Sequence, residues 1–176
     1  MLKEGLFVFL LLSFQCGFAQ YHPVASESSV RFSLKNFGFK TGGSLNAPEG
    51  DIIFNPDDLT KSSFRVTLKA ESIDTDNESR DAHLKEAAYF DVKNYPLIRF
   101  VSSSVTETGK KGSYQTLGTL TVKNKSKEIT MPFTVEKNGN GWVFSGSFKM
   151  NRKDYDIGGS STLSDEVTVD IKVVAR

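Results

Sequence analysis

Cysteine, long apolar runs and an excess of charge of either sign are all scarce in this chain of 176 residues. Its one cysteine is Cys16, near the N terminus, so the rest of the chain can form no disulfide. The longest apolar stretch, residues 6–14, is apolar except for Ser13 and is about half as long as a membrane-spanning helix. We therefore predict no integral membrane span. The formal net charge is +1 without a basic stripe, which argues against nucleic acid or an anionic membrane surface as a partner.

The first 19 residues have the features of a secretory signal peptide. Lys3 gives a basic start, the apolar run follows, and Gly17 and Ala19 place small residues just before the expected cleavage site. We therefore predict a signal peptide over 1–19, cleaved after Ala19, and a single domain over 20–176. An exported chain without cysteine suits the bacterial periplasm, and we predict a periplasmic or secreted protein.

Alternation of apolar and polar residues dominates the rest of the chain. In SVRFSLKNF, for example, Val30, Phe32 and Leu34 share one face of an extended strand, and the residues between them are polar. Gly-, Pro- and Asn-rich turn signals separate such segments, which favours an antiparallel barrel or sandwich. The predicted strands are 28–37, 38–46, 50–55, 62–71, 97–106, 113–123, 127–137, 141–151 and 165–175, about eight in all if the second and third form one bent strand.

One segment interrupts the strands. Residues 77–88 lack β-branched residues and favour a helix, which Asn77 or Asp76 could cap at its start. Tyr89 and Phe90 follow and need burial. We therefore predict an all-β fold, an extended antiparallel eight-stranded barrel with one short helix near a barrel mouth, where the helix serves as a lid.

The densest polar cluster, residues 72–90, could be a reaction centre. Its spaced acids imitate the opening of a calcium loop, but Ser79 and Lys85 stand where that loop needs glycine and glutamate. Zinc usually needs three or four His, Cys or carboxylate ligands, and the mature chain offers two histidines and no cysteine. Asp81 and His83 are two residues apart, on different faces of a helix. We predict no metal, cofactor or catalytic residue, although a Ser–His–Asp triad assembled from distant strands stays open.

The alternative is that the cluster fastens the helix. Arg80 and Asp81 could form charge-assisted hydrogen bonds to loop backbone or to neighbouring strands. Arg152 is a candidate partner for Asp74 or Asp81, and the cations could also meet the polar head of a ligand. The predicted structural or head-group cluster comprises Asp74, Arg80, Asp81, His83 and Arg152.

The inward faces of the predicted barrel are rich in apolar side chains. An eight-stranded barrel can fill its interior with side chains or hold one small ligand, and an apolar lining suits an elongated apolar ligand. Gly118 and Gly146 are expected to leave gaps among the inward residues. The predicted lining consists of Phe32, Leu34, Phe64, Val66, Leu68, Phe100, Leu120, Phe144 and Phe148. A dry, packed core remains the alternative.

The same residues resemble a known family, the YceI-like polyisoprenoid-binding proteins. The segment 72–84 is similar to the family's S-I-D-T-x-N-x-x-R-D-x-H-L stretch, and 90–100 is similar to its F-D-V-x-x-Y-P-x-I-x-F run. DIIFNPDDL (51–59), LGTLTVKNKSKEI (117–129) and NRKDYDIG (151–158) support the resemblance. Two departures lie near loops: Leu45 occupies an aromatic slot, and Asn124-Lys125 follows the L-T-V run, where glycine or histidine is common.

The resemblance implies a lipocalin-like, extended barrel exported to the periplasm or beyond. It also implies an elongated tunnel for isoprenoids or other long-chain amphiphiles, and a homodimer in many members. The leading hypothesis is thus a non-enzymatic protein that carries or sequesters a long isoprenoid or fatty lipid. The alternatives are a lipid-acting hydrolase that uses His83 and a stress-related structural barrel with a dry core.

Overall fold

The computed structural model describes residues 19–159 and 162–176. The predicted signal peptide, Ala19 excepted, lies outside the described residues and stays a prediction. The described elements are β1 (Gln20–Tyr21), β2 (Ser29–Asn36), β3 (Phe39–Leu45), β4 (Glu49–Ile53), β5 (Ser63–Lys69), α1 (Glu78–Leu84), β6 (Leu97–Glu107), β7 (Ser113–Val122), β8 (Lys125–Asn138), β9 (Gly141–Asn151) and β10 (Glu166–Ala175), together with short 3₁₀ turns at Ala25–Glu27, Leu59–Lys61, Ala70–Ser72 and Arg152–Tyr155.

All of these strands belong to one antiparallel sheet, in the order β1-β4-β5-β6-β7-β8-β9-β10-β2-β3. The sheet curls, and short backbone contacts join its two edge regions to other parts of the chain. Beyond β1, the backbone N–H of Val24 donates to the carbonyl of Val174 in β10 over 2.7 Å. At the other edge, Ser44 of β3 and Asp74 exchange two backbone hydrogen bonds of 2.7 and 3.0 Å. The curled sheet therefore encloses an interior.

Gly43 in β3 makes the second of these contacts sterically feasible. A Cβ at this position would collide with the carbonyl oxygen of Asp74 and would lie 2.7 Å from Cγ2 of Thr75 and 2.9 Å from Cζ of Phe32. Real Cβ atoms do not approach other atoms so closely, so a larger residue would push the 74–75 segment away from β3. The glycine thus permits the contact that joins the edge strand to the segment preceding α1.

The predicted fold class is confirmed: the structure is a curled antiparallel sheet with one α-helix among the described residues. Nine strands match the nine predicted ranges to within a few residues. The sheet has ten strands and not eight, because β3 and β4 are separate and the two-residue strand β1 adds to the β4 edge. Within the described ranges, no helix is long and apolar enough to span a membrane.

Helix α1 begins where predicted but ends earlier. Asn77 caps it, since its Oδ1 accepts a hydrogen bond of 2.9 Å from the backbone N–H of Arg80. The helix ends at Leu84 and not near Ala88 because the chain then turns, with Phe90 N–H donating to the carbonyl of Leu84 over 3.0 Å. This turn brings the half-buried Phe90 side chain to the interior, so tertiary burial overrides the local helix propensity.

The connections of the sheet define two ends of the molecule. The helix end carries α1, the β2–β3 hairpin, the β7–β8 turn and the β9–β10 connection. The aromatic end, opposite, is filled by rings that meet edge to face. Phe54 contacts Tyr114, Trp142 and Phe144 with ring centroids 5.3, 5.4 and 5.5 Å apart. These separations lie in the range that favours aromatic pairs, so this end is closed by packing.

Candidate functional site

An apolar cavity of about 260 Å³ occupies the interior between the two ends. It is larger than the roughly 150 Å³ cavity, lined by aliphatic and aromatic side chains, that stays dry and binds benzene in an engineered protein. The structure places all nine predicted lining residues on its wall: Phe32, Leu34, Phe64, Val66, Leu68, Phe100, Leu120, Phe144 and Phe148. The interior is therefore not completely filled by side chains. That these nine residues bind a ligand stays a prediction.

The cavity is long in the direction of the strands. Along β10, every second residue from Val167 to Val173 lines it. Six residue steps of a strand at about 3.4 Å each correspond to roughly 20 Å. On the neighbouring strand β9, the lining runs from Phe144 to Met150, which is a similar distance. A volume of about 260 Å³ distributed over this length describes a narrow channel.

The channel is closed at the aromatic end. Phe133 and Phe144 line it there, and their ring centroids lie 5.5 and 5.8 Å from that of Phe64. Behind Phe144 stands Phe54, which contacts the rings at the end of the molecule and does not itself line the channel. Tyr114 also belongs to this plug, where burial, with a smaller contribution from the Glu107 charge, raises the pKa of its hydroxyl.

The helix end holds the mouth of the channel. Leu84 at the end of α1 and the two aromatics that follow it, Tyr89 and Phe90, line the channel from above. Arg80 and Arg152 also line it and, among the residues that the structure describes, bring the only charged side chains of its wall. Residues 78–90 thus form a lid, as predicted from the interruption of the strand pattern. Arg80 in the lid and Arg152 after β9 give an otherwise apolar channel a cationic rim.

A hydrogen-bonded clasp fastens the start of the lid. Oδ1 of Asp81 accepts hydrogen bonds from the backbone N–H of Thr75, over 2.9 Å, and from its hydroxyl, over 2.5 Å. Arg80 donates from Nε to the Thr75 hydroxyl oxygen and from Nη2 to the Thr75 carbonyl, over 2.7 and 2.5 Å. Thr75 is only 5% exposed. Its two donors and two acceptors would be costly to leave unpaired, so the clasp fixes the geometry of α1 against the strands.

The family model for the YceI-like domain matches residues 21–175, nearly the whole described part of the chain. The chain belongs to this YceI-like family. The match begins one residue after the start of β1 and ends at the last residue of β10, so it covers the sheet, the lid and the channel together.

Individual proteins are similar to this chain in sequence or in structure. A UPF0312 protein of Pseudomonas syringae is 30% identical over 149 residues, covering 81% of this chain and 77% of that protein. Burkholderia cenocepacia BcnA has a TM-score of 0.83 at 27% identity, covering 88% of this chain and 99% of that one. A polyisoprenoid binding domain from Saccharophagus degradans has a TM-score of 0.73, covering 91% and 99% of the two chains. At 12% identity, the last likeness shows a shared fold only.

Both departures from the YceI-like pattern can be located in the structure. Leu45 is the last residue of β3 and lines the channel, so this change alters the cavity wall and does not merely lie near a loop. Asn124 lies in the two-residue turn between β7 and β8 with φ of 60°. Asn tolerates this left-handed conformation better than most residues, so the turn accommodates the second departure.

The prediction that Arg152 pairs with Asp74 or Asp81 is wrong. Arg152 is 4% exposed, and its Nη2 lies 2.8 Å from Oδ1 of Asp165. The guanidinium also donates to the carbonyls of Ile157, Ser164 and Leu163, over 2.8, 3.1 and 3.3 Å. It therefore organises the connection between β9 and β10. The carbonyls of this connection, together with Asp165, therefore occupy the planar guanidinium in place of the acids of the lid.

The other two predicted cluster residues lie outside the channel. His83 is exposed: its Nδ1 is 3.1 Å from Oε2 of Glu86, and its ring packs against Tyr89 with centroids 4.7 Å apart. Asp74 uses its backbone to bridge to Ser44, and its Oδ1 accepts from the N–H of Asp76. Neither lines the channel. The geometry therefore does not support the hydrolase alternative, which needs His83 beside a lipid in the cavity.

The described residues also contain no grouping of three or more His, Cys, Asp or Glu side chains that could hold a metal ion. Of the five predicted cluster residues, Arg80 and Arg152 thus lie together on the channel wall. Asp81 does not line the channel but shares the Thr75 hydroxyl with Arg80 in the clasp.

Sequence reasoning missed one residue that fastens the lid. Nζ of Lys123, in the β7–β8 turn, donates to the carbonyls of Ala87 in the lid and of Asp156, both over 2.9 Å. A lysine in a polar turn gives no sequence signal for such a role, since carbonyl acceptors carry no side-chain pattern. The contact connects the lid to the turn and to the β9–β10 connection.

The expected gap at Gly118 is filled. A Cβ there would lie 2.6 Å from Cζ of the Phe100 ring, so the ring occupies the space that the glycine leaves. Gly146 leaves no gap either, since a Cβ would lie 2.7 Å from the carbonyl oxygen of Pro132. Both glycines permit close packing in the wall, and the free volume lies elsewhere, along the centre of the channel.

Proposed function

We propose that this protein binds a long-chain isoprenoid or similar amphiphilic lipid in its channel and carries or sequesters it. The observation that carries the proposal is the channel itself: about 260 Å³, long and narrow, apolar along its wall and closed at the aromatic end. Burying a hydrocarbon chain there is worth roughly 25 cal/mol for each Å² removed from water. A narrow, blind channel favours a slender chain over a compact ligand.

The cationic rim suggests how the ligand is oriented. Arg80 lies at the mouth and is exposed, although its Nε and Nη2 are held by Thr75. A chain that enters tail first would leave its polar head beside this guanidinium. A carboxylate or phosphate head group fits a cation held in this way. The name of the Saccharophagus degradans domain, a polyisoprenoid binding domain, supports the choice of ligand class.

Native mass spectrometry of protein purified without detergent, followed by organic extraction, tests the proposal. We expect a long-chain lipid to copurify, or the protein to take up a fluorescent fatty acid such as cis-parinaric acid. Val169→Phe places a ring in the middle of the channel wall and should reduce uptake. Thr168→Phe, one residue away and facing outward, is the matched control. Ligand-free protein that takes up no long-chain probe would refute lipid binding and favour a structural role.

Export and self-association are proposed on sequence grounds. Cleavage after Ala19 would leave β1 intact, since the next residue, Gln20, is the first of that strand and pairs with Ile53. Mass analysis of protein from a periplasmic fraction should give a chain beginning at Gln20, and a mass that includes residues 1–19 would exclude this cleavage. A homodimer, implied by the family resemblance, stays a prediction that sedimentation velocity can test.

A further inference from the structure

The β2–β3 hairpin carries two exposed aromatic side chains at the helix end. Phe37 is 75% exposed and Phe39 is 79% exposed, more than any other large hydrophobic residue that the structure describes. They flank Gly38 at the turn of the hairpin, in the sequence KNFGFK. We define residues 35–40 as the hairpin tip. Single exposed apolar residues are common on protein surfaces, but two adjacent phenylalanines on a projecting turn form a patch.

The backbone conformation of the hairpin turn disfavours a phenylalanine at position 37. Asn36 pairs with Phe39, which leaves Phe37 and Gly38 as a two-residue turn with φ of 49° and 84°. Such a turn needs positive φ at both positions and favours Asn-Gly. A bulky residue with positive φ is an outlier. Phe37 therefore occupies an unfavourable conformation without gaining burial, which points to a function at the surface.

The charge at the tip is positive although the chain as a whole is nearly neutral. Lys35 and Lys40 pair across the hairpin just behind the aromatic residues. Between Glu27 and Glu49 the sequence contains three cationic residues and no acid. Neither lysine forms an ion pair with a carboxylate among the described residues. The net charge of +1 thus conceals a local basic segment, for which an anionic surface is the complement, although the charge of the whole chain argued against such a partner.

The tip is continuous with the mouth of the channel. Leu34 and Thr41, the next pair after the two lysines, both line the channel. Leu163, another lining residue, forms a backbone bridge with Asn36, and the Thr162 hydroxyl donates to Oδ1 of Asn36 over 2.7 Å. The exposed rings therefore project from the rim through which a ligand would pass.

We propose that the hairpin tip docks the protein on an anionic phospholipid bilayer, with both phenylalanines inserted at the headgroup boundary and both lysines at the lipid phosphates. Two rings bury at most about 300–500 Å² on this protein, below the roughly 800 Å² that each partner contributes to a stable protein–protein interface. A bilayer needs only shallow insertion of aromatic side chains together with basic residues at its surface. If the channel holds a lipid, docking by the tip explains why the exposed rings lie beside the channel mouth. To that extent the proposal rests on the proposed function.

Vesicle flotation tests the docking. The full chain is expressed, the purified protein's N terminus is checked by mass, and binding is compared between phosphatidylethanolamine vesicles containing phosphatidylglycerol and vesicles of phosphatidylcholine alone. We expect wild-type protein to float with the anionic vesicles. F37N/F39T should reduce the bound fraction at least tenfold while preserving the turn, because Asn-Gly suits it better than Phe-Gly. If the double variant does not fold, Phe39→Thr alone serves the same purpose.

Further variants test whether the two tip lysines contribute to binding and whether the docking surface lies at the tip. K35Q/K40Q should weaken binding to anionic vesicles by about fivefold for each lysine. K110Q/K111Q removes the same charge at the aromatic end, and Val101→Thr removes the third exposed hydrophobic residue. Both should bind like wild type. Docking by the tip is overturned if wild-type protein does not float, if F37N/F39T floats equally well, or if the two lysine pairs matter equally.

Two further measurements distinguish membrane docking from self-association through the tip and from lipid binding in the channel. If F37N/F39T converts a dimer into a monomer without changing vesicle binding, the tip's partner is a second copy and the membrane proposal fails. Uptake of cis-parinaric acid in the absence of vesicles should be the same for F37N/F39T and wild type, since neither residue lines the channel. Normal docking with no uptake would refute the proposed function and leave docking standing.

Discussion

Replacing Arg152 by methionine tests whether its backbone contacts or its ion pair hold the mouth of the channel. The guanidinium is 4% exposed and donates to the carbonyls of Ile157, Ser164 and Leu163. Hydrogen bonds from a charged donor are worth about 1.5–3 kcal/mol each, before allowance for water that reaches the freed carbonyls. Methionine keeps the length and apolar stem of the side chain. We therefore expect Arg152→Met to lower the free energy of unfolding by about 3–5 kcal/mol.

Asp165→Asn is the matched perturbation of the ion pair. The Asp165 side chain is 52% exposed, so solvent screens its attraction to Arg152. Exposed ion pairs contribute at most about 1 kcal/mol. Here only Asp165 is exposed, while the buried guanidinium keeps its carbonyl acceptors, so we expect a loss of about 1 kcal/mol. Arg152→Lys should lie between the two variants, because an ammonium keeps the charge but cannot reach three separated carbonyls with a planar fork.

Urea unfolding followed by circular dichroism measures all three variants. A loss of about 3 kcal/mol should lower Tm by roughly 6–12 °C in a domain of this size. Uptake of cis-parinaric acid by the folded fraction then reports on the mouth, where we expect faster ligand release from Arg152→Met. The reasoning is refuted if Asp165→Asn costs as much as Arg152→Met, or if Arg152→Met costs less than about 1 kcal/mol.

Three further predictions concern the core, the clasp and the channel wall. Tyr155 is 1% exposed, its hydroxyl has no hydrogen-bond partner among the described residues, and burial raises its pKa to about 12. Between pH 10 and 12 the unfolded chain loses this proton first, so stability falls by ~2–3 kcal/mol as pH rises. Tyr155→Phe should be near neutral at pH 7 and lack this loss in urea titrations. Asp81→Ala should cost about 2–3 kcal/mol by urea unfolding because it unpairs Thr75, whereas Glu78→Ala, exposed on the same helix, should cost under about 0.5. Leu45→Phe should leave stability within about 1 kcal/mol but shift the lipids identified by native mass spectrometry toward shorter chains; an unchanged lipid profile would contradict its place on the channel wall.

Much of the channel wall was predictable from the alternation alone. Side chains of a strand point to opposite faces in turn, whatever the strand packs against. Once Phe32 and Leu34 were assigned to the inner face, their neighbours on the paired strands followed from the same rule. The helix was predictable from the loss of this alternation and from Asn77, whose side chain caps it locally.

The partners of long polar side chains were not predictable. Arg152 was expected to meet the acids of the lid, yet it meets the carbonyls of a connection that follows it in sequence. Lys123 was not singled out, although it fastens the lid through two carbonyls. Backbone carbonyls are present at every residue and carry no residue type, so only the path of the chain determines which of them a cation reaches.

The sequence by itself determined which face of each strand is apolar, where the strands break for the lid, and the family to which the chain is similar. Each of these depends on the order of residues along a short segment. The tertiary structure decided that the interior contains a channel, that Phe100 fills the space over Gly118, and that the exposed Phe37 lies beside the channel mouth. These features depend on how far the sheet curls and where distant segments meet, which is fixed only when all the strands pack together.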